Sequence, residues 1–163
     1  MNCSCEEHSI NMIRKLTVKN EVEMRLIAAE LAKTAFAGEF IALFGDLGAG
    51  KTTLVRYFAE KLGADTAASP TFTIVRHYTG NELSIDHFDC YRLADSDELF
   101  AIGFDDYLDS PSVKLMEWSE NVSDALPQSR LEVHISGSGC DPRQIELIPF
   151  GDEYERIAEE LEL

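Results

Sequence analysis

The stretch that decides the fold is GDLGAGKTTL, residues 45–54, in which three glycines precede a lysine and two threonines. It contains the pattern G-x-x-x-x-G-K-[ST], which cradles the phosphates of a nucleotide when a strand precedes it and a helix follows. Residues 39–44 (EFIALF) form a short apolar run typical of a buried strand, and residues 52–62 repeat apolar side chains at helical spacing. The sequence therefore predicts a nucleotide-binding site at this loop.

Each residue type in the loop has a role in holding phosphate. Glycine lets the backbone approach an anion closely, and the first N–H groups of the following helix point toward that anion. Lys51 is predicted to act in catalysis at the β- and γ-phosphates, and Thr52 to offer its hydroxyl to Mg²⁺. The predicted cofactor-binding residues of the loop are Gly45, Asp46, Leu47, Gly48, Ala49, Gly50, Lys51, Thr52 and Thr53.

The rest of the chain alternates helices and strands, as in an α/β protein. Because the later strands form hairpins, we predict a P-loop fold of three layers with a mixed central sheet. The predicted helices cover 20–36, 52–62, 95–101, 104–108 and 152–161. The predicted strands cover 16–18, 39–44, 72–78, 83–88, 113–116, 131–135 and 144–148.

Length and charge limit the kind of protein this is. The 163 residues fit a single domain, with 1–15 expected to be a flexible tail and 151–163 an acidic terminal helix. The chain has no apolar run of membrane-spanning length and no signal peptide, so we expect a soluble, cytoplasmic protein. Its net charge of -16 disfavours direct binding of nucleic acid and favours partner proteins.

Two carboxylates follow buried strands and are candidates for the chemistry. Asp89 ends the run IDHFD and Glu117 ends the run VKLME. A carboxylate at such a strand end can ligate Mg²⁺ or orient the water that attacks phosphate. These residues alone do not decide which of the two does which, so both are predicted to be catalytic.

A hydroxyl-rich segment lies between the helix of the loop and the next strand. It has the sequence SPTFT and contains Ser69, Thr71 and Thr73. In P-loop switch proteins a segment at this position is ordered by the γ-phosphate. We therefore predict a switch segment here, with an ordinary connecting loop as the alternative.

Other functions use the same loop. The chain has no N-K-x-D segment for guanine, which argues against a GTPase. A small-metabolite or nucleotide kinase is an alternative, since Asp89 and Arg92 offer an acid and a phosphate clamp, although no arginine-rich lid segment is present. A nucleotide-sensing module that does not turn over is the third possibility.

Several motifs together resemble one family, the TsaE (YjeE) family of bacterial ATPases in tRNA threonylcarbamoyladenosine biosynthesis. The resemblance covers roughly residues 20–148. A P-loop alone is shared by many families, but this combination at these intervals is specific. The motifs are GDLGAGKTTL, SPTFTIV, HFDCYRL, ELFAIGFDDYL and MEWSE.

The resemblance implies a set of site residues. Thr52 and Glu117 match the magnesium ligands of the family, and Asp89 matches an aspartate needed for hydrolysis. Glu21 and Arg143 match positions near the nucleotide, which is ATP or ADP. Trp118 matches a tryptophan beside the metal carboxylate, and we interpret it as packing because an indole cannot ligate Mg²⁺.

The resemblance also implies partners. Family members hydrolyse ATP slowly and act with the proteins TsaD and TsaB, which transfer the threonylcarbamoyl group to tRNA. The ATPase supports turnover of that pair and meets tRNA only indirectly, through the complex. The acidic composition agrees with this division, since the tRNA contact then lies on the partners.

Overall fold

The computed structural model describes residues 12–66 and 73–163. Its strands are β1 (Arg14–Val18), β2 (Phe40–Phe44), β3 (Val75–Tyr78), β4 (Ile85–Asp89), β5 (Val113–Glu117), β6 (Arg130–Ser136) and β7 (Arg143–Phe150). Its helices are α1 (Glu21–Lys33), α2 (Lys51–Lys61), α3 (Ser96–Ala101), α4 (Phe104–Leu108) and α5 (Asp152–Glu160), with a 3₁₀ helix at Ser119–Ala125.

The seven strands form one sheet in the order β1-β7-β6-β2-β5-β4-β3. The four central strands β6, β2, β5 and β4 run parallel, while β1, β7 and β3 pair antiparallel with their neighbours. The carboxyl ends of β2, β5 and β4 therefore meet at one edge, which is where α/β sheets bind ligands.

Two apolar clusters pack on opposite faces of this sheet. The alternation of β2 shows the arrangement, because Ile41 and Leu43 belong to the cluster that contains α1 and α2, whereas Phe40 and Ala42 belong to the cluster of α3 and α4. Helices thus cover the sheet on both sides. The predicted three-layer α/β fold with a mixed central sheet is confirmed.

The N-terminal boundary differs from the prediction. Residues 14 and 15 were expected to belong to a flexible tail, but β1 begins at Arg14 and pairs with β7. The Arg14 guanidinium donates hydrogen bonds to the carbonyl oxygens of Ala158 (2.9 Å) and Leu161 (2.6 Å) at the end of α5. A cation at a helix C-terminus is favourable, so this long-range contact holds the strand start in place.

Smaller differences concern element ends. Helix α1 ends at Lys33 rather than at residue 36, with Thr34 as its C-cap. Strand β3 begins at Val75, whereas its predicted start at residue 72 lies outside the described residues. The 3₁₀ helix at Ser119–Ala125 was not predicted. In the described ranges no helix is both long enough and apolar enough to cross a membrane.

Candidate nucleotide-binding site

The loop between β2 and α2 needs glycine at both of its ends. Gly45 has φ 150°, and a Cβ there would lie 2.4 Å from the carbonyl oxygen of Ile135. Gly50 is the N-cap of α2 with φ 112° and accepts the backbone hydrogen bond of Leu54 at 3.0 Å. The loop therefore curls closely against β6 and leads straight into a helix N-terminus, the geometry that attracts anions.

Lys51, the first residue of α2, is buried at the mouth of this loop. Its ammonium group donates hydrogen bonds to the carbonyl oxygens of Gly45 and Asp46. Burial lowers the pKa of Lys51, and the negative charges of Glu120, Glu117 and other nearby carboxylates act in the opposite direction. The lysine is thus placed beside the loop, among acidic groups.

The indole ring of Trp118 packs against the ammonium group of Lys51. The centroid of its ring lies 3.9 Å from Lys51 Nζ, a cation–π contact, and 4.8 Å from the ring of Tyr91. Trp118 has φ 58°, and among the described residues it is the only non-glycine residue with positive φ. The left-handed turn, which costs roughly 1–2 kcal/mol, directs the indole over the lysine directly after β5.

Thr52 and Glu117 bring two oxygen donors together. The Thr52 hydroxyl donates to Glu117 Oε2 at 2.9 Å, and the Glu117 side chain is 4% exposed. Hydroxyl and carboxylate oxygens are ligands that Mg²⁺ accepts, usually from one or two side chains that share the ion with substrate phosphates. This donor set fits the magnesium role that the resemblance gave to both residues, and that role stays a prediction.

Asp89 lies beside Glu117, since the two are register partners in β4 and β5. Its carboxylate is half-buried and accepts the backbone N–H of Tyr91 at 3.0 Å. Burial raises the pKa of Asp89, the Tyr91 hydrogen bond opposes this rise, and the neighbouring Glu117 charge adds to it. The two strand-end carboxylates therefore meet next to the loop, but in different surroundings.

His87 belongs to the site and was given no role from the sequence. Its Nε2 lies 2.8 Å from Glu117 Oε1, and its Nδ1 lies 3.2 Å from the hydroxyl of Tyr78. The spacing within the motif HFD could have indicated this contact. Residues 87 and 89 lie on one face of a strand, and both flank the carboxylate of Glu117.

A cavity of about 360 Å³ opens beside the loop, between α1 and the turn that precedes β7. Its volume lies in the range of small-molecule sites. Six of the predicted cofactor-binding residues line it: Glu21, Gly48, Ala49, Gly50, Thr53 and Arg143. The cavity continues the phosphate loop toward α1, so one ligand can occupy both.

Arg143 and Glu21 have defined partners around this cavity. Arg143 Nε donates to the Ala49 carbonyl at 3.0 Å and Nη2 to the Gly48 carbonyl at 3.2 Å, so the guanidinium ties the start of β7 to the loop. Glu21 accepts hydrogen bonds from Tyr57 and from Arg56, the latter at 2.8 Å, and these contacts lower its pKa. Both side chains therefore support the cavity from opposite sides.

The roles of the remaining predicted residues stay predictions. Leu47 is 76% exposed at the tip of the loop. Thr73 is exposed and precedes β3. The other two residues of the predicted switch segment, Ser69 and Thr71, lie outside the described residues.

Comparison with known proteins identifies the family. Residues 18–145 match the family described as threonylcarbamoyl adenosine biosynthesis protein TsaE. The chain is 41% identical to the TsaE protein of Bacillus subtilis over 143 residues, which span 87% of this chain and 89% of that protein. It is 31% identical to the Nostoc TsaE protein over 150 residues, 89% of this chain and 91% of that protein.

A solved structure agrees with these relatives. The crystal structure of Bacillus subtilis YdiB superposes with a TM-score of 0.80 at 36% sequence identity, covering 94% of this chain and 96% of that chain. The match extends over nearly all of both chains, so the seven-stranded sheet and the loop belong to a shared architecture. The chain is a member of the TsaE family, whose named relatives take part in tRNA threonylcarbamoyladenosine biosynthesis.

Proposed function

We propose that this protein is the ATPase of tRNA N6-threonylcarbamoyladenosine biosynthesis, and that it hydrolyses ATP to support turnover of the TsaB–TsaD transferase. The observation that carries the proposal is the meeting of Lys51, Thr52, Glu117 and Asp89 at one sheet edge, beside the cavity. Family membership supplies the pathway. The cytoplasmic location and the two partners stay predictions.

The nucleotide is assigned to two adjoining regions. The cavity takes the nucleoside, and the loop with the α2 N-terminus takes the phosphates. Lys51 balances charge on the β- and γ-phosphates once it exchanges its loop carbonyl partners for phosphate oxygens. Thr52 and Glu117 would hold Mg²⁺, which supplies neutralisation of charge on the phosphate oxygens.

The surroundings of the two carboxylates suggest a division of labour. Both oxygens of Glu117 already have partners, His87 and Thr52. Asp89 has a raised pKa, which suits a group that takes up a proton. Asp89 therefore orients water for attack on the γ-phosphorus. The new P–O bond forms as the bond to the β–γ bridging oxygen breaks, ADP leaves, and the proton of the water passes to Asp89.

The test follows phosphate release and tRNA modification in parallel. Purified protein is mixed with ATP and Mg²⁺, with and without TsaB, TsaD and tRNA. Lys51→Ala is compared with Lys61→Ala, a matched change at the exposed end of the same helix. We expect Lys51→Ala to reduce phosphate release about 100-fold and to stop multiple-turnover modification, because a charge that stabilises the transition state is lost. Lys61→Ala is expected to match wild type.

Each other outcome overturns part of the proposal. Wild-type turnover by Lys51→Ala rules out the ATPase role. Phosphate that appears on a small acceptor instead of in solution identifies a kinase. Tight binding of ATP with no phosphate release, even with both partners present, identifies a nucleotide-sensing module.

A further inference from the structure

Four side chains form one hydrogen-bonded chain that ends at the phosphate loop. It runs from Tyr78 on β3 through His87 on β4 and Glu117 on β5 to Thr52 on α2, with successive distances of 3.2, 2.8 and 2.9 Å. His87 and Glu117 are almost fully buried, with 2% and 4% of their side chains exposed. This series of hydrogen bonds therefore runs through the protein interior at the edge of the sheet where the parallel strands end.

We infer that His87, held by Tyr78, is a positioning residue that fixes the Glu117 carboxylate for the cation of the nucleotide. This inference rests on the proposed function, because it assigns a role toward the Mg²⁺ that accompanies ATP. His87 occupies Glu117 Oε1, which leaves Oε2 directed at Thr52, the other oxygen donor. Outer partners of this kind orient metal-binding carboxylates and tune their affinity.

The hydrogen positions are consistent along the whole chain. A carboxylate only accepts hydrogen bonds, so His87 Nε2 carries the hydrogen that points to Glu117. In the neutral ring Nδ1 then accepts, and the Tyr78 hydroxyl donates to it. Glu117 thereby fixes the tautomer of the ring and Tyr78 helps to fix its rotation, and the Thr52 hydroxyl completes the series by donating to Oε2.

A purely structural role explains this series of hydrogen bonds poorly. Burying a carboxylate and an imidazole costs desolvation free energy, and apolar residues of similar size would pack there at a lower cost. The hairpin also contains a second histidine–carboxylate pair, His77 and Asp86 at 2.7 Å, whose histidine side chain is 54% exposed. That pair ends at Ser110, far in the fold from the loop, so it provides an internal comparison.

The experiment measures binding rather than turnover. A non-hydrolysable ATP analogue is titrated in EDTA and at increasing Mg²⁺, with the fluorescence of Trp118, the single tryptophan, as the signal. We expect His87→Leu to raise the Mg²⁺ concentration for half-maximal enhancement of binding by 10- to 100-fold, and to leave the affinity in EDTA unchanged. His87→Gln, which keeps a donor, is expected to recover part of the loss.

Tyr78→Phe tests the outer end of the chain with little change in shape. It is expected to shift the Mg²⁺ dependence in the same direction, by about 3- to 10-fold, because the ring of His87 loses the partner that orients it. His77→Gln and Tyr107→Phe serve as matched controls and are expected to behave as wild type. Thermal melting identifies any variant that fails to fold. If His87→Leu does not fold, the result for Tyr78→Phe decides the outcome.

The possible failures can be told apart. Unchanged Mg²⁺ dependence in folded His87→Leu and Tyr78→Phe overturns the inference and leaves the proposed function intact, provided that Lys51→Ala reduces phosphate release as expected. Equal loss of affinity in EDTA and in Mg²⁺ shows a merely structural role and also overturns the inference. If the wild type binds no nucleotide, or binds it independently of Mg²⁺, the proposed function fails first and the inference fails with it.

Discussion

Replacing Glu39 by glutamine is expected to stabilise the protein increasingly as the pH rises. Glu39 precedes β2, at the end of the strand opposite the phosphate loop, and is 1% exposed. Its Oε2 has no hydrogen-bond partner within the described part of the chain. Burial raises the pKa of Glu39 to about 8, a backbone hydrogen bond from Phe36 works against this rise, and the charge of Glu153 adds to it.

The sign of the effect follows from proton binding. The unfolded chain loses the Glu39 proton near its ordinary pKa of 4.5, whereas the folded protein keeps it up to about 8. Glu39 therefore does not change the free energy of unfolding below pH 4.5, and it lowers that free energy as the pH rises from 4.5 to about 8. At roughly 1.4 kcal/mol per pH unit, the cost is about 1 kcal/mol at pH 5.5 and about 3 kcal/mol at pH 7. Glu39→Gln removes this dependence.

Urea unfolding at several pH values measures the difference. The urea concentration at the unfolding midpoint should be higher for Glu39→Gln than for wild type. With an m value of about 2 kcal/mol/M, this difference should grow by about 1 M between pH 5.5 and pH 7. Glu82→Gln, an exposed acid in the turn before β4, is the control and should show no such growth. A constant difference between Glu39→Gln and wild type across this range would refute the reasoning, because it would mean that Glu39 is ionised in the folded protein.

Two further predictions concern the phosphate loop. Arg143→Ala and Arg143→Lys should each weaken nucleotide binding about tenfold in a fluorescence titration. Both substitutions remove the paired hydrogen bonds from the guanidinium to the carbonyl oxygens of Ala49 and Gly48. Unchanged affinity would contradict this role. Gly45→Ala should cost about 2 kcal/mol or more in urea unfolding, because its Cβ meets the Ile135 carbonyl oxygen at 2.4 Å. Gly38→Ala, which has open space, should cost only about 1 kcal/mol, and equal losses would refute the steric argument.

The parts of the fold that the sequence predicted well are those with local requirements. The loop 45–52 needs glycines at positive φ, then a lysine and a hydroxyl at a helix start, and each of these is visible as a residue type at a fixed spacing. Period-2 alternation and short apolar runs likewise revealed the buried strands. The sequence likewise marked Asp89 and Glu117 as carboxylates that end buried strands, although their meeting became clear only from the parallel pairing of β4 and β5.

The parts that were missed depend on contacts between distant residues. Arg14 belongs to β1 because it binds the end of α5, which lies more than 140 residues away in the chain. Helix 119–125 follows a left-handed turn at Trp118, a conformation that its residue type does not announce. The hydrogen bonds of His87 depend on the register of three neighbouring strands, which no single segment contains.

The acidity of the site bears on both parts of the proposed function, the binding of ATP and the dependence on partner proteins. Lys51 faces the carboxylates of Glu120, Glu117, Asp46 and Asp89, and the whole chain carries a net charge of -16. A free triphosphate is itself strongly anionic, so we expect it to bind well only when a cation offsets this repulsion. RNA is a polyanion and meets the same negative field. Under the proposed function, the same charge makes ATP binding depend on Mg²⁺ and leaves the tRNA contact to the partner proteins.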